Sequence, residues 1–154
     1  MRHRRVASTI ASMSAFAAAE TNGAGGRPRV ADVMTWGLVS CHPDESLQTV
    51  AALMNEACVH CVVVTDGQAG RSLWGIISDL DLVAAACVRS LADQRAGGTA
   101  MKPAVTIAPG ESLELAAGLM TKQGVAHLVV VDPVERRPVG VLSTLDLAGA
   151  LASA

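Results

Sequence analysis

The most constraining feature of this chain is that it repeats itself. Residues 39–47 and 105–113 are identical at five of nine positions, and their numbers differ by 66. The two copies open at Met34 and Met101. Self-similarity at a fixed period indicates two copies of one structural unit, each of which needs the other to bury its apolar face.

The spacing of apolar residues predicts a helix early in each copy. In the first copy, apolar residues recur at helical spacing from Leu47 onward, and Asp44 or Ser46 can cap this helix. The counterpart covers about residues 112–123 and stops at Gly124, a residue type that commonly ends helices.

A short extended segment that ends at Pro43 or Pro109 precedes this helix, and two strands and a second helix complete each copy. Runs rich in β-branched residues predict strands at residues 61–65 and 73–77 and again at 128–131 and 139–142. A last helix begins near Ser78 and near Ser143. A single β-α-β-β-α unit of about 60 residues buries too little surface to be stable alone. We therefore expect an α+β fold in which the two units pack sheet to sheet as a pseudo-two-fold pair, with a cleft on each side.

Composition and charge narrow the possible partners. The 154 residues are 51% hydrophobic and 17% charged, which is typical of a chain with a packed core. Residues 1–29 carry five basic groups and one acidic group, whereas residues 30–154 carry seven basic and thirteen acidic groups. An acidic body disfavours nucleic-acid binding, which needs clustered cations. An aromatic content of 2% also disfavours stacking on single strands, so we expect no nucleic-acid partner.

The chain divides into three parts. Residues 1–29 form a basic leader and linker that we expect to be disordered, residues 30–92 the first copy and residues 93–150 the second. No apolar run approaches the roughly 18 residues that a membrane-spanning helix needs, so we expect a cytoplasmic protein without a membrane span. The alternative is that residues 1–20, with basic residues before a largely apolar stretch, act as an export or transit signal.

The four cysteines form no recognisable metal site. Cys58 and Cys61 have C-x-x-C spacing, but no second pair completes a zinc site. We expect these two residues, with Cys41 and Cys87, to be small buried apolar side chains; a Cys-based redox or metal-responsive role is the less favoured alternative. The chain carries no nucleophile elbow, P-loop or other catalytic motif, so we expect no catalytic residues and no enzyme activity.

One string of residues recurs whole. Residues 75–81 return as residues 140–146 in the pattern Gly-apolar-apolar-Ser-x-Leu-Asp. In a single copy, Ser-x-x-Asp at a helix start is explained as a capping box. The recurrence of the whole string favours a nucleoside site: glycine permits close backbone approach, the helix start offers N–H groups to a phosphate, and the carboxylate can accept both hydroxyls of a ribose.

On these residues, the chain resembles a tandem pair of cystathionine β-synthase-type (CBS) domains, an arrangement called a Bateman module. The resemblance covers roughly residues 30–150 and rests on eight segments: 33–35, 39–47, 59–66, 75–81, Met101, 105–113, 125–132 and 140–146. It implies a non-enzymatic regulatory or sensor module that binds an adenosine-type ligand (AMP, ADP, ATP or S-adenosylmethionine) in clefts between the repeats. Such a module would be a homodimer and would signal to a separate effector protein.

The resemblance also implies which residues bind the ligand. Asp81 and Asp146 would accept the ribose hydroxyls, and the serine that precedes each of them would bind ribose or phosphate. The segments around Ser40 and Thr106 would contact the adenine edge, largely through backbone. The predicted ligand-binding residues are Ser40, Ser78, Asp81, Thr106, His127, Ser143, Thr144 and Asp146.

The chain departs from the family pattern where phosphate-binding members often carry an arginine. Cys61 and His127 occupy those two positions. A ligand of low net charge, such as AMP or S-adenosylmethionine, is therefore favoured over a triphosphate, and no obligatory cofactor is expected. The alternative is a ligand-free structural or dimerisation module. Trp74, beside Gly75, is expected to report on cleft occupancy through its fluorescence.

Overall fold

A computed structural model describes residues 27–66 and 72–153 of the chain. In chain order its elements are α1 (Val30–Val33), β1 (Thr35–Trp36), β2 (Ser40–Cys41), α2 (Leu47–Ala57), β3 (Cys61–Asp66), β4 (Ser72–Ser78), α3 (Asp79–Ala86), a 3-10 turn (Leu91–Asp93), α4 (Ala96–Thr99), β5 (Thr106–Ile107), α5 (Leu113–Gln123), β6 (His127–Val131), β7 (Pro138–Ser143) and α6 (Thr144–Ala152). The order β2-α2-β3-β4-α3 recurs as β5-α5-β6-β7-α6. This repetition confirms the predicted α+β architecture of two equivalent units.

The expectations about the N-terminus fall almost entirely outside this structure. Residues 1–26, which hold most of the basic leader and the alternative export or transit signal, lie outside the described residues. Among the helices that are described, none combines the length and the apolar character needed to cross a membrane.

Local sequence explains where the long helices begin and end. Ser46, rather than Asp44, caps α2: its Oγ accepts a hydrogen bond from the Thr49 N–H at 3.1 Å. The helix ends at Cys58, which adopts the left-handed conformation with φ of 53°. Helix α5 ends in the same way at Gly124, as predicted, with a left-handed φ of 65°.

The strands form two sheets of the same design. The first has the order β2-β3-β4 and the second the order β1-β7-β6-β5. In both, a short parallel strand lies beside an antiparallel hairpin. Ser40 pairs with Val63 in the first sheet and Thr106 with Val129 in the second. Each residue of the second pair lies 66 positions after its counterpart, so the repeat in sequence is also a repeat in register.

Three clusters of buried side chains define the layers. The side chains of Val62 and Val64, on β3, lie on the face of the sheet that α2 and α3 cover. The alternate residues, Cys61 and Val63, face the other sheet and contact Val129 of β6. Because both faces of the central strands are covered, these strands read as continuous apolar runs rather than alternating ones. The predicted sheet-to-sheet packing is confirmed.

Each unit also receives a short segment that precedes the other copy in sequence. Strand β1 pairs antiparallel with β7 of the second unit, and Thr35 lies opposite Val141. In the first unit, Met101 pairs with Ile76 at the equivalent place. We call residues 30–36 and 95–101 the exchanged segments. They bury side chains in the core of the unit they join: Val30 and Met34 in the second unit, Ala96 and Ala100 in the first.

The exchange refines how the two copies are compared. The sequence aligns Met34 with Met101, but the strand register places Thr35 at the position of Met101. Met34 corresponds to Ala100 instead, and both of these side chains are buried. Residues 30–92 and 93–150 therefore describe copies along the chain, whereas each packed unit also contains the exchanged segment from the other copy.

Candidate ligand-binding clefts

Two cavities are lined by residues of both units. Cleft 1 has a volume of about 310 Å³ and is lined by residues 35–39, Val59, Cys61, Val141 and Asp146. Cleft 2 has a volume of about 330 Å³ and is lined by residues 78–81 and 124–127, Ile76 and Met101. Both volumes lie at the lower end of the range of small-molecule sites, about 300–1,000 Å³.

The two clefts are built largely from equivalent residues. The pairs that line clefts 1 and 2 respectively are Thr35 and Met101, Val59 and Val125, Cys61 and His127, Val141 and Ile76, and Asp146 and Asp81. Each cleft thus combines the motif carboxylate and a β-strand residue from one unit with the start of the central strand of the other. The repeat in sequence produces two versions of one site.

The glycines of the motif make room for the exchanged segments. A Cβ atom on Gly75 would lie 2.6 Å from the carbonyl oxygen of Met101, and one on Gly140 would overlap the carbonyl oxygen of Thr35. We expected glycine at this place to permit close backbone approach. The structure shows that the approaching group is the backbone of an exchanged segment, and this segment in turn lines a cleft.

The motif serine and aspartate form a capping box in both units. The N–H and Oγ–H of Ser78 donate to Oδ2 of Asp81, both at 2.7 Å, and the Asp81 N–H donates to Ser78 Oγ at 3.2 Å. Ser143 and Asp146 repeat this geometry at 2.7, 2.7 and 3.1 Å. Among the described residues, every hydrogen bond found for these carboxylates involves Oδ2. Capping therefore orients each carboxylate and leaves Oδ1 without a hydrogen bond among the described residues.

The structure brings part of the predicted site together. Ser78, Asp81 and His127 line cleft 2, and Asp146 lines cleft 1. Ser143 contacts Asp146, the carboxylate of cleft 1, through the capping box, and Thr144 is the exposed first residue of α6.

The two strand residues of the prediction are placed differently. Ser40 and Thr106 are exposed, and neither belongs to the lining of cleft 1 or cleft 2. Leu38 and Val39, directly before Ser40, do line cleft 1. The predicted backbone contacts with the adenine edge would therefore come from Leu38 and Val39 rather than from Ser40.

The structure places Trp36, rather than the predicted reporter Trp74, in the lining of a cleft. The indole N–H of Trp74 donates to the carbonyl oxygen of Gly97 at 3.2 Å, and the Lys102 ammonium lies 4.5 Å from the centre of its ring. Trp74 lines neither cleft. Trp36 does line cleft 1, and 60% of its surface is exposed. The sequence signal that could have indicated Trp36 was its position two residues after Met34, where the first copy opens.

The electrostatics of both clefts disfavour anions. Among residues 27–66 and 72–153, no lysine or arginine lines either cleft. A hydrogen bond from His60 Nδ1 to Asp79 Oδ2, at 2.9 Å, lowers the pKa of Asp79 and keeps this carboxylate ionised. Burial lowers the pKa of the half-buried His127, so its imidazole is neutral at pH 7. The charged groups that line the clefts are therefore carboxylates.

The structure buries Cys41 and Cys61, as expected, whereas Cys58 and Cys87 are exposed because they follow the last turns of α2 and α3. Burial, with a smaller contribution from Glu45, raises the pKa of Cys41 to about 11, and burial, then Asp79 and Asp146, raises that of Cys61 to about 12. Thiols that stay protonated are poor nucleophiles and poor metal ligands. All four cysteines are free, and within residues 27–66 and 72–153 no group of three or more His, Cys, Asp or Glu side chains is arranged to hold a metal ion.

Comparison with known proteins identifies the family. The sequence profile of the CBS domain matches twice, at residues 30–87 and 98–153. The chain belongs to the CBS domain family. The tandem pair that the motifs indicated is thus confirmed, and the two matches fall on the two units of the structure. No curated protein sequence matches this CBS domain pair significantly.

Solved structures share the fold of this CBS pair. The CBS domain pair of protein MJ0100, in complex with 5′-methylthioadenosine and S-adenosyl-L-methionine, is 20% identical with a TM-score of 0.73, over 82% of this chain and 97% of that one. Protein PAE2072 from Pyrobaculum aerophilum, complexed with AMP, is 25% identical with a TM-score of 0.73, over 82% and 100%. A hexameric CBS-CP12 protein from bloom-forming cyanobacteria is 20% identical with a TM-score of 0.71, over 79% and 69%.

Proposed function

We propose that this CBS domain pair is a non-catalytic regulatory module that binds an adenosine-type ligand in clefts 1 and 2. The observation that carries the proposal is the duplicated carboxylate: Asp146 in cleft 1 and Asp81 in cleft 2 each present an oxygen that capping leaves available. A carboxylate at a helix start can accept both hydroxyls of a ribose. The complexes of MJ0100 and PAE2072 with adenosine compounds support this ligand class.

A ligand in either cleft would contact both units. Cleft 1, for example, combines Asp146 of the second unit with Val59 and Cys61 of the first. A ligand that binds one arrangement of the units more tightly than another shifts the population toward it. Occupancy would thereby change the surface that a separate effector protein recognises.

The charge of the clefts limits the ligand. Because the described lining residues include carboxylates and no lysine or arginine, the module favours a ligand with little negative charge. Adenosine, AMP and S-adenosylmethionine meet this condition better than ADP or ATP. None of these is required as a cofactor.

Titration calorimetry tests the proposal. We expect adenosine and S-adenosylmethionine to bind and ATP to bind most weakly. Asp146→Asn and Asp81→Asn should each remove one site, because a charged acceptor of hydrogen bonds is worth about 1.5–3 kcal/mol. The amide keeps an oxygen for the capping box, so both variants should fold.

Glu56→Gln is the matched control, since Glu56 is an exposed carboxylate on α2 outside both clefts. It should bind as the wild type does. Absence of heat with every adenosine compound at millimolar concentration would contradict the proposal. So would a double variant, Asp81→Asn with Asp146→Asn, that still binds normally.

We also propose that the module is a homodimer. Leu80 on α3 and Leu145 on α6 are equivalent residues and are 72% and 71% exposed. Large apolar side chains at equivalent places suit a self-complementary interface between two copies. Light scattering should give twice the chain mass, and Leu80→Glu with Leu145→Glu should give a monomer. A monomeric wild type would contradict the dimer. The expected cytoplasmic location stays a prediction.

A further inference from the structure

The two clefts differ in charge at one position of the motif. The residue after the motif serine is Asp79 in the first unit, and Asp79 lines cleft 2. It also lines an open groove together with Cys58 and His60. The equivalent residue at the start of α6 is Thr144. His127 does not offset the extra charge in cleft 2, because its burial favours the neutral imidazole. Cleft 2 therefore presents two carboxylates where cleft 1 presents one.

Asp79 occupies the place at the start of α3 that an anion would take. Its Oδ1 accepts the N–H of Leu80 at 2.8 Å, and its own N–H donates to the carbonyl oxygen of His60 at 2.9 Å. The third N–H of the helix, on Asp81, donates to Ser78 Oγ. The first turn of α3 thus has no free N–H to offer a phosphate.

The first turn of α6 is different. The N–H of Thr144 donates to the carbonyl oxygen of Ala126 at 2.9 Å, and that of Asp146 donates to Ser143 Oγ at 3.1 Å. For the N–H of Leu145, which corresponds to Leu80, no acceptor is found in the described part of the chain. The carboxylate that satisfies this N–H in α3 is missing from α6.

The position of Asp79 is fixed. His60 Nδ1 lies 2.9 Å from its Oδ2, while Leu80 holds its Oδ1. These two hydrogen bonds orient the carboxylate of a residue that lines cleft 2 together with Asp81. A phosphate in cleft 2 would lie near two carboxylates and, among the described lining residues, near no lysine or arginine, an arrangement of like charges that opposes binding.

We propose that Asp79 is a specificity-determining residue that excludes phosphate-bearing nucleotides from cleft 2 and restricts this cleft to uncharged or cationic adenosine compounds. Cleft 1, which has Thr144 at the equivalent position, discriminates less between adenosine and AMP. This inference rests on the proposed function, since it assigns a ligand class to one of the two proposed sites.

Calorimetry on the full chain with adenosine and AMP tests the inference in a background that isolates cleft 2. Asp146→Asn removes the carboxylate of cleft 1 and leaves cleft 2 as the site measured. In this background we expect adenosine to bind at least about tenfold more tightly than AMP. Adding Asp79→Asn, which keeps the shape and an oxygen for the Leu80 N–H, should raise AMP affinity about tenfold and leave adenosine affinity within about twofold.

Two further variants separate local charge from other effects. Asp79→Glu keeps the charge and should keep the discrimination, whereas Glu56→Gln removes a distant carboxylate and should leave both affinities unchanged. An unchanged ratio of AMP to adenosine affinity in Asp79→Asn, with adenosine still bound, overturns the inference and leaves the proposed function standing. Failure of the wild type to bind adenosine overturns the proposed function itself.

Discussion

At the scale of single residues, Gly75 shows why the motif needs glycine. An added Cβ would lie 2.6 Å from the Met101 carbonyl oxygen and 3.0 Å from the Ala100 Cβ. Backbone cannot move aside as a flexible side chain can, so any side chain at this position would push the exchanged segment away from β4. The glycine thus holds a cleft wall in place without touching the ligand.

We expect Gly75→Ala to lower the free energy of unfolding by about 1–3 kcal/mol, the usual cost of overpacking. Gly149→Ala is the control. Gly149 lies in α6 with no atom within 4 Å of its added Cβ, so alanine should stabilise the protein by up to about 1 kcal/mol. Urea unfolding followed by circular dichroism measures both. Equal stability of the two variants would contradict this role for Gly75.

His127 makes stability depend on pH. Burial lowers the pKa of its imidazole in the folded protein, although Asp79, Asp81 and Asp146 partly offset this effect. As pH falls below the ordinary value of about 6.5, the unfolded chain therefore takes up a proton before the folded one does, and stability decreases. His127→Gln should lose less unfolding free energy than the wild type between pH 7.5 and pH 5.5 in urea titrations. An identical loss in both proteins would show that His127 has no part in this dependence.

At the scale of elements, features set by neighbouring residues were predictable from the sequence, whereas features set by distant residues were not. The caps at Ser46 and Ser78 and the stop at Gly124 were predictable, because side-chain capping and left-handed glycine act within a few residues. The pairing of β1 with β7 was not, because it joins residues about 100 positions apart and β1 has only two residues. Trp36, which lies in β1, was missed as a lining residue of cleft 1 for the same reason.

Met34→Ala tests the exchanged segment. The Met34 side chain is buried in the core of the second unit, so its truncation should cost about 2–5 kcal/mol of unfolding free energy. Val134→Ala, at a position that is 87% exposed in the same unit, should change stability by no more than about 0.5 kcal/mol. If Met34 lay outside that core, both variants would unfold at the same urea concentration as the wild type.

At the scale of the whole molecule, the clefts arise because the two units pack against each other. The buried contact of Cys61, Val63 and Ile76 with Val129 holds the two sheets face to face. The exchanged segments then bring backbone from one copy against the motif of the other. The repeat was enough to predict two related clefts and the carboxylates of Asp81 and Asp146. It was not enough to place Asp79, because its orientation depends on a partner, His60, in the loop between α2 and β3.

The most direct test of the central claim is a ¹H–¹⁵N NMR titration of the wild-type protein with adenosine. We predict that the largest shifts fall on amides that line the clefts: Gly37, Leu38 and Asp146 for cleft 1, and Asp81, Gly124 and Val125 for cleft 2. Amides on exposed surfaces elsewhere, such as Glu56, should not move. Shifts confined to residues outside both clefts, or no shifts at millimolar adenosine, would contradict the account.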